Sequence, residues 1–426
     1  MRDSDSPRGS GPLLKLLATT LLAVLMAGCG GGGGGGGSSS GSSASAPAQT
    51  VTNTPPAPPV LASNAAALTV DFGVIGVPNM PFVSVTLCMR DTTQCQTVDH
   101  VQVDTGSSGL RVFASQLPPS FMLSQQKDGA GNPLAECMQF FDGYTWGSVQ
   151  LADVLIGGEK AASLPIQVID PNYGAIPSDC SSLGASRNTP ASLAANGVLG
   201  IGVFKHDCGP ACVRTAVPAT YYGCVGNSCT STAVAENLQV GNPIPYFAIN
   251  NNGSILMLPA ASPSGQTSLT GQLVFGIGTQ SNNGLGNAQV IGLSPSSGTF
   301  MTVLNGTSYS RSIVDSGSNG LFFQTSMLPV CASPNSLYYC PASTQQLSAM
   351  IEGANGTNSA VSFDVGNGTE LKQNRGGNSV VPLLAGPAYV SPAIFVWGMP
   401  FFYGRNVYAA VEQQSTPGGA GPYIAY

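Results

Sequence analysis

The chain has 426 residues, and its 14 Lys and Arg side chains against 20 Asp and Glu give a formal net charge of −6. Only 8% of the residues are charged and no basic patch is visible, which argues against nucleic acid as a partner. The many Gly, Ser, Thr, Asn and Val residues, with few long helical patterns, predict a mostly β structure.

The N-terminus has the pattern of an export signal. Three basic residues precede an apolar run at residues 16–26, and a small-residue site follows, so residues 1–28 predict a signal peptide. The run is too short for a permanent transmembrane helix. The Leu-Met-Ala-Gly-Cys sequence resembles a bacterial lipobox, which implies that Cys29 is lipidated and becomes the first mature residue. The other interpretation is an ordinary secretory signal with a chance cysteine.

A low-complexity segment follows the signal. Residues 30–37 are all glycine, Ser and Ala residues come next, and residues 54–59 are rich in proline. Such a sequence has nothing to bury, so residues 29–66 predict a disordered tether. We therefore expect an exported protein of the bacterial cell envelope, held by its lipid at the outer membrane or cell surface.

Ten cysteines remain after Cys29, an even number that predicts up to five disulfides in an exported protein. Close pairs such as Cys88/Cys95, Cys224/Cys229 and Cys331/Cys340 could close local loops. The competing interpretation is zinc binding by the pairs at residues 208/212 and 224/229.

Apolar and polar residues alternate at residues 82–87, as in a half-buried strand, and a second strand at residues 98–103 leads into Asp104. Residues 138–147 predict a hairpin with a glycine-containing turn. In residues 196–202, glycines surround apolar residues, which predicts a strand that passes very close to another backbone.

Helices are few in this prediction. The clearest candidate is residues 343–351, where Ser343 could cap the start and Gly353 lies just past the end.

An internal repeat connects two distant parts of the chain. The sequence VDTGSSGL at residues 103–110 returns as VDSGSNGL at residues 314–321. This repeat predicts two similar lobes, each offering one carboxylate, Asp104 and Asp315. If the lobes face each other, the two carboxylates share a proton, and one acts as base and the other as acid on a bound water. The other interpretation is two polar turns between strands.

Other catalytic chemistries have little support. The chain has two histidines. We interpret His100 as a structural or exposed residue, and His206 lies in a Cys- and Pro-rich loop. Outside the Gly/Ser-rich tether, no Gly-x-Ser-x-Gly nucleophile motif occurs. No metal and no cofactor are predicted.

From about residue 70 to residue 426, the chain resembles the pepsin-like aspartic proteases. The two repeat motifs resemble the active-site loops, and further matching segments follow in the family's order: residues 196–202, 271–278, 395–408 and 421–426. The resemblance implies an all-β, bilobal fold, a pair of double-ψ β-barrels related by pseudo-twofold symmetry, with a few short helices. The predicted lobes are residues 67–245 and 246–426. The lipoprotein start suggests an uncharacterised bacterial lipoprotein family related to this fold.

The resemblance also implies roles for the motif residues. Asp104 and Asp315 would hold the nucleophilic water. The hydroxyl after each aspartate would tie the two loops together, and the hydroxyl two positions further on would bond the outer carboxylate oxygen. The supporting residues are Thr105, Gly106, Ser107, Ser316, Gly317 and Ser318.

The hairpin departs from the family pattern. Residues 139–147 would be the flap over the substrate, with Gly143 in its turn, and Phe140 stands where the family has a tyrosine. Tyr144 could substitute if the hairpin is built differently. Arg111 replaces the tryptophan that normally bonds the flap tyrosine, so both partners of that contact are missing.

These observations predict a lipid-anchored, monomeric aspartic endopeptidase that binds an extended peptide between its lobes. The alternative is a catalytically inactive binding or surface lipoprotein on the same fold, which Phe140 and Arg111 favour. A purely structural envelope protein would not require two facing aspartates.

Overall fold

β-strands dominate the part of the chain that the structure describes. The structure is a computed structural model, and it describes residues 61–374 and 376–426, which belong to one unit, Pro59–Tyr426. The predicted signal peptide, the lipidation site Cys29 and the tether up to residue 60 lie outside the described residues.

The first half of the described chain contains eleven strands. They are β1 (Ala65–Val70), β2 (Pro81–Cys88), β3 (Cys95–Asp104), β4 (Ser108–Phe113), β5 (Ser124–Gln125), β6 (Leu134–Phe140), β7 (Gly143–Ile156), β8 (Glu159–Ile169), β9 (Gly197–Ile201), β10 (Tyr221–Val225) and β11 (Ser228–Ser231). Three short helices interrupt them: α1 (Ser178–Ser181), α2 (Pro190–Leu193) and α3 (Pro210–Arg214).

The second half adds fourteen strands within the described residues. They are β12 (Gly253–Met257), β13 (Leu269–Phe275), β14 (Val290–Gly292), β15 (Phe300–Leu304), β16 (Thr307–Val314), β17 (Leu321–Phe323), β18 (Gln345–Glu352), β19 (Asn358–Val365), β20 (Ala385–Gly386), β21 (Phe395–Trp397), β22 (Asn406–Ala410), β23 (Ser415–Thr416), β24 (Gly419–Ala420) and β25 (Tyr423–Ala425). One helix, α4 (Gly368–Gln373), precedes β20.

Three strands around the first repeat motif hold the loop that carries Asp104. β9 lies between β3 and β4, parallel to the first and antiparallel to the second, so that Leu199 is paired with both Val103 and Leu110. β9 runs very close to its neighbour, because a Cβ added at Gly200 would lie 2.8 Å from the carbonyl oxygen of Gly109. The predicted close-packed strand at residues 196–202 is confirmed.

The second motif repeats this arrangement. β21 lies between β16 and β17, parallel to β16 with Val314 opposite Trp397, and antiparallel to β17 with Phe322 opposite Val396. The same three-strand pattern therefore supports both aspartate loops. The predicted all-β fold of two related halves with a few short helices is confirmed.

One sheet connects the two halves. Sixteen strands join it, and β1 from the start of the described chain pairs with β13, with Ala65 opposite Val274 and Val70 opposite Leu269. A second sheet of seven strands, β15 to β21, lies in the second half. The predicted boundary between residues 245 and 246 falls in the 3-10 turn Ile244–Tyr246 and stays a prediction, since both halves share the larger sheet.

The prediction of a helix at residues 343–351 was wrong. Residues Gln345–Glu352 form strand β18, which pairs with β15 on one side and β19 on the other. Alternate residues Ala349 and Ile351 are buried in the core, as the period of a strand requires. Pairing on both edges overrides the local helix preference.

Ten cysteines of the described residues form five disulfides. The pairs are Cys88–Cys95, Cys137–Cys180, Cys208–Cys212, Cys224–Cys229 and Cys331–Cys340. The predicted local pairs are confirmed. The zinc interpretation was wrong, because both of the cysteine pairs it needed are used in disulfides. Five disulfides are typical of an exported protein.

Among residues 61–374 and 376–426, none of the helices has the length and apolar character needed to cross a bilayer.

Candidate active site

Two aspartates, one from each half, lie at the ends of equivalent strands. Asp104 is the last residue of β3, and Asp315 directly follows β16. Both are buried, with 7% and 5% of their surface exposed. A buried carboxylate needs hydrogen-bond donors or a shared proton to remain in the folded protein.

Each carboxylate receives the same pair of hydrogen bonds. The backbone N–H two residues further on donates to Oδ1 at 2.8 Å in both loops, and the serine hydroxyl three residues further on donates to Oδ2. The donors are Gly106 and Ser107 for Asp104, and Gly317 and Ser318 for Asp315. The four donors orient the two carboxyl groups alike, as the repeat in the sequence implies.

The glycines of the two loops show that the carboxyl groups oppose each other. A Cβ added at Gly106 would lie 2.6 Å from Oδ1 of Asp315, across the boundary between the loops. A Cβ added at Gly317 would lie 2.6 Å from Oδ1 of Asp104. Each loop thus approaches the other loop's carboxylate so closely that only glycine fits.

The hydroxyls of Thr105 and Ser316 bind the two loops together. Thr105 Oγ1 donates to the carbonyl of Val314 at 2.9 Å and accepts from the N–H of Ser316 at 2.9 Å. Ser316 Oγ donates to the carbonyl of Val103 at 2.7 Å and accepts from the N–H of Thr105 at 3.1 Å. Four reciprocal hydrogen bonds therefore fix the distance between the two aspartates.

The electrostatics of the pair favour a shared proton. Burial raises the pKa of Asp315 well above its ordinary value, and the neighbouring carboxylate of Asp104 raises it further. The hydroxyl of Ser318 opposes this rise. The result is a pair that retains one proton at a pH where isolated aspartates are ionised, so that one carboxyl can act as acid and the other as base.

Sequence reasoning missed two side chains that also tie the halves together. Gln102 Nε2 donates to the carbonyl of Gly317 at 2.9 Å. The buried amide of Asn79 donates to the carbonyl oxygens of Asn319 and Val381 at 2.8 and 2.7 Å. Gln102 lies two residues before Asp104, and alternate residues of a strand point to the same face. This position on β3 could therefore have identified Gln102 as a residue of the site. No sequence signal marks Asn79.

The predicted hairpin is present in β6 and β7. Its strands pair from Ala135 opposite Ser148 to Phe140 opposite Gly143, which confirms the hairpin at residues 138–147. The segment after α1 covers its turn, because the N–H of Tyr144 donates to the carbonyl of Ala185 at 2.9 Å. A Cβ added at Gly143 would lie 2.2 Å from the same carbonyl, so this position requires glycine.

The two aromatic candidates of the hairpin lie on opposite faces. Phe140 is half-buried and shares the face of Glu136, since alternate residues of a strand point to one side. Tyr144 lies opposite Gln139 and is only 6% exposed, packed with Trp146 beside the Cys137–Cys180 disulfide. Tyr144 therefore does not take the place of Phe140.

Arg111 is buried within the first half. Its side chain is 0% exposed and pairs with Glu136 at 2.6 Å and Asp207 at 3.2 Å. A fully buried side chain does not line any solvent-accessible surface, so Arg111 does not project into solvent.

The histidines lie in other contacts. His100 contacts the carboxylates of Asp71 and Asp99, and His206 contacts the hydroxyl of Tyr246 at 3.0 Å. Burial lowers the pKa of His206. In the part of the chain that the structure describes, no group of three His, Cys, Asp or Glu side chains is arranged to hold a metal ion.

Comparisons with known proteins give a family and a distant structural likeness. A family model described as "Protein of unknown function (DUF3443)" matches residues 60–426. A search of the curated proteins found no match. Among solved structures, the chain is similar to the aspartic proteinase from Irpex lacteus, with 14% identity, a TM-score of 0.45, and coverage of 85% of this chain and 96% of that chain. A likeness this distant gives no conclusion about activity, so the chemistry has to be inferred from the aspartate pair.

Proposed function

The chain belongs to the DUF3443 family of proteins of unknown function, and we propose that it is an aspartic endopeptidase that hydrolyses peptide bonds with water activated between Asp104 and Asp315. One observation supports this proposal above all others. The two buried carboxyl groups oppose each other, each within 2.6 Å of the position of a Cβ on the other loop. A pair of polar turns would not need this arrangement.

The proposed reaction uses the one proton that the pair retains. The ionised carboxyl accepts a proton from water while the water oxygen attacks the peptide carbonyl carbon. The protonated carboxyl donates its proton to the carbonyl oxygen, which gives a neutral tetrahedral intermediate. The intermediate then collapses: the first carboxyl donates the proton that it took from water to the amide nitrogen, the second takes a proton from one hydroxyl of the intermediate, and the C–N bond breaks. The products are a carboxylic acid and an amine, and the pair again holds one proton.

The substrate in this proposal is an extended peptide between the two lobes. Its backbone N–H and C=O groups would pair with strand edges, which suits an unfolded protein better than a folded one. We propose further that the protein is monomeric and exported, and that a lipid on Cys29 attaches it to the membrane. The five disulfides support export.

The second candidate function is a non-catalytic binding protein. The hairpin favours it, because Phe140 offers no hydroxyl and Tyr144 is buried on the other face. The Cys137–Cys180 disulfide also fixes strand β6 to α1, which limits the opening of a flap. A binding protein would hold a peptide between the lobes without hydrolysing it.

The test is cleavage of reduced, alkylated serum albumin by the purified mature protein, from about pH 3 to about pH 7. The wild type is compared with Asp104→Asn and Asp315→Asn, which preserve side-chain shape and remove one carboxyl each. Asp153→Asn is the matched control, since Asp153 is a buried carboxylate that pairs with Lys160 outside the site.

We expect cleavage on the acidic side, a loss of about 10³-fold or more in either pair variant, and normal activity in the control. Cleavage that survives both pair substitutions would rule out the proposed mechanism. A folded wild type that cleaves nothing at any of these pH values would favour the binding protein.

A further inference from the structure

Arg111 is the buried cation nearest in sequence to the first aspartate loop. It lies in β4, which begins immediately after that loop, and its side chain is 0% exposed. Nη1 donates to the carbonyl oxygens of Ser108 and Gly109 at 2.9 and 3.3 Å. The guanidinium is therefore fixed to the same short segment that positions Asp104.

The other side of the guanidinium holds two carboxylates from distant parts of the chain. Nη2 donates to Oε1 of Glu136 at 2.6 Å and to Oδ2 of Asp207 at 3.2 Å. The two carboxylate side chains are 1% and 7% exposed. Tyr221 donates its hydroxyl to Oδ1 of Asp207 at 2.6 Å. Glu136 belongs to the hairpin, so the ion pair joins the hairpin directly to the aspartate loop.

A glutamine beside Arg111 holds the second strand of the hairpin. Gln167 of β8 lies opposite Arg111 in the parallel β4–β8 pair. Its Nε2 donates to the carbonyl of Glu136 at 2.8 Å, and its Oε1 accepts from the hydroxyl of Thr145 at 2.8 Å. Both strands of the hairpin are thus connected to the strands that follow the first aspartate loop.

The buried charges make this connection hard to release. Burial by itself lowers the pKa of Arg111, but Glu136 and Asp207 outweigh it and raise the pKa above its ordinary value, so the guanidinium stays charged. Removing Arg111 would leave the buried carboxylates of Glu136 and Asp207 without a cation, which is far more costly than the cluster itself. The hairpin cannot move away from Arg111 without exposing or isolating these groups.

We propose that Arg111, through Glu136 and Asp207, is a positioning residue that fixes the β6–β7 hairpin relative to the Asp104 loop. In the pepsin-like proteases that the sequence resembles, this position carries a tryptophan that bonds the flap tyrosine. The step from a fixed hairpin to catalysis rests on the proposed function. The fixed hairpin itself does not, and it has its own measurement.

The experiment uses Glu136→Gln and Arg111→Lys in the mature protein. The glutamine preserves the shape of Glu136 and removes its charge, and the lysine keeps a cation but loses the forked geometry. Asn283→Ala is the matched control, because Asn283 is fully buried and hydrogen-bonded in a turn that supplies no site residue. Hydrogen–deuterium exchange is followed in residues 134–147 and, as an internal reference, in β18 and β19.

We expect exchange in residues 134–147 to rise by about tenfold or more in both cluster variants, with β18 and β19 unchanged. We also expect kcat to fall by on the order of 10- to 100-fold with little change in KM and an unchanged shape of the pH–rate profile, because misplacement affects the transition state. In Asn283→Ala, neither the hairpin exchange nor kcat should change.

Folded variants with wild-type exchange in the hairpin would overturn the proposal, and raised exchange with unchanged kcat would overturn its step from the fixed hairpin to catalysis. If the wild type itself proves inactive, the proposed function fails and the exchange result decides alone. Raised hairpin exchange would then support the fixed hairpin, and unchanged exchange would refute it.

Discussion

The opposition of the two carboxyl groups can be tested by adding one methyl group. In Gly106→Ala the new Cβ would lie 2.6 Å from Oδ1 and 2.7 Å from Cγ of Asp315, well inside the 3.4 Å at which ordinary contact begins. The backbone of Gly106 is outside the left-handed region, so alanine meets no conformational penalty there. The effect of the substitution therefore comes mainly from contact with the carboxylate of Asp315, with a weaker contact at 3.2 Å to Oδ1 of Asp104.

The expected result is a loss of activity larger than the loss of stability. The pair has to move apart by up to about 1 Å, which costs on the order of 10²-fold in kcat/KM, while overpacking of this kind costs about 1–3 kcal/mol of unfolding free energy. Gly317→Ala should act alike, since its Cβ would lie 2.6 Å from Oδ1 of Asp104. Gly284→Ala is the control, because its added Cβ would meet nothing within 4 Å.

The assay is albumin cleavage at the pH optimum, with urea unfolding of the same preparations. A folded Gly106→Ala protein that keeps kcat/KM within about threefold of the wild type would show that the carboxyl groups do not oppose each other. In that case the shared-proton mechanism would lose its geometric basis.

Two further predictions concern the same pair of loops. Burial and the carboxylate of Asp104 raise the pKa of Asp315 in the folded protein. The stability that protonated Asp315 contributes is therefore fully present below the ordinary aspartate pKa and is lost as the pH rises through the raised pKa. Asp315→Asn should therefore have a higher Tm than the wild type at about pH 7, with a difference that shrinks towards about pH 4; a thermal melt with no pH-dependent difference would contradict this. Thr105→Val should lose about 1–3 kcal/mol of unfolding free energy in urea, because the carbonyl of Val314 and the N–H of Ser316 lose their partner. Thr105→Ser keeps the hydroxyl and should stay close to the wild type. Equal losses in the two variants would refute the role of the hydroxyl.

The repeat was readable from the sequence because it is local. The motifs at residues 103–110 and 314–321 each contain the aspartate, its hydrogen-bond donors and the glycine that lets the other loop approach. A few neighbouring residues thus specify most of each half-site. The family resemblance implied the contact between the halves made by Thr105 and Ser316, whereas the contacts of Gln102 and Asn79 required the fold to show which groups meet.

The rest of the site could not be read in this way because its partners are far apart. Arg111 was noticed as a departure, but its carboxylates lie 25 and 96 residues away, in the hairpin and in the loop after β9. No periodicity connects such positions. The error at β18 has a related cause: Met350 is exposed within a strand that pairs on both edges, so the alternation around Ala349 and Ile351 was hidden by one apolar residue.

The difference between the two halves is as informative as their similarity. Arg111 pairs with Val198 of β9, and Phe322 pairs with Val396 of β21, so the two residues occupy the same place after their aspartate loops. A Cβ added at Gly320 would lie 3.2 Å from Cζ of Phe322, so an apolar ring lies beside the end of the second loop. The charged position exists only in the half that carries the hairpin and its carboxylate. The repeated residues therefore build the carboxyl pair, and the departure from the repeat at Arg111 connects the hairpin of the first half to its aspartate loop.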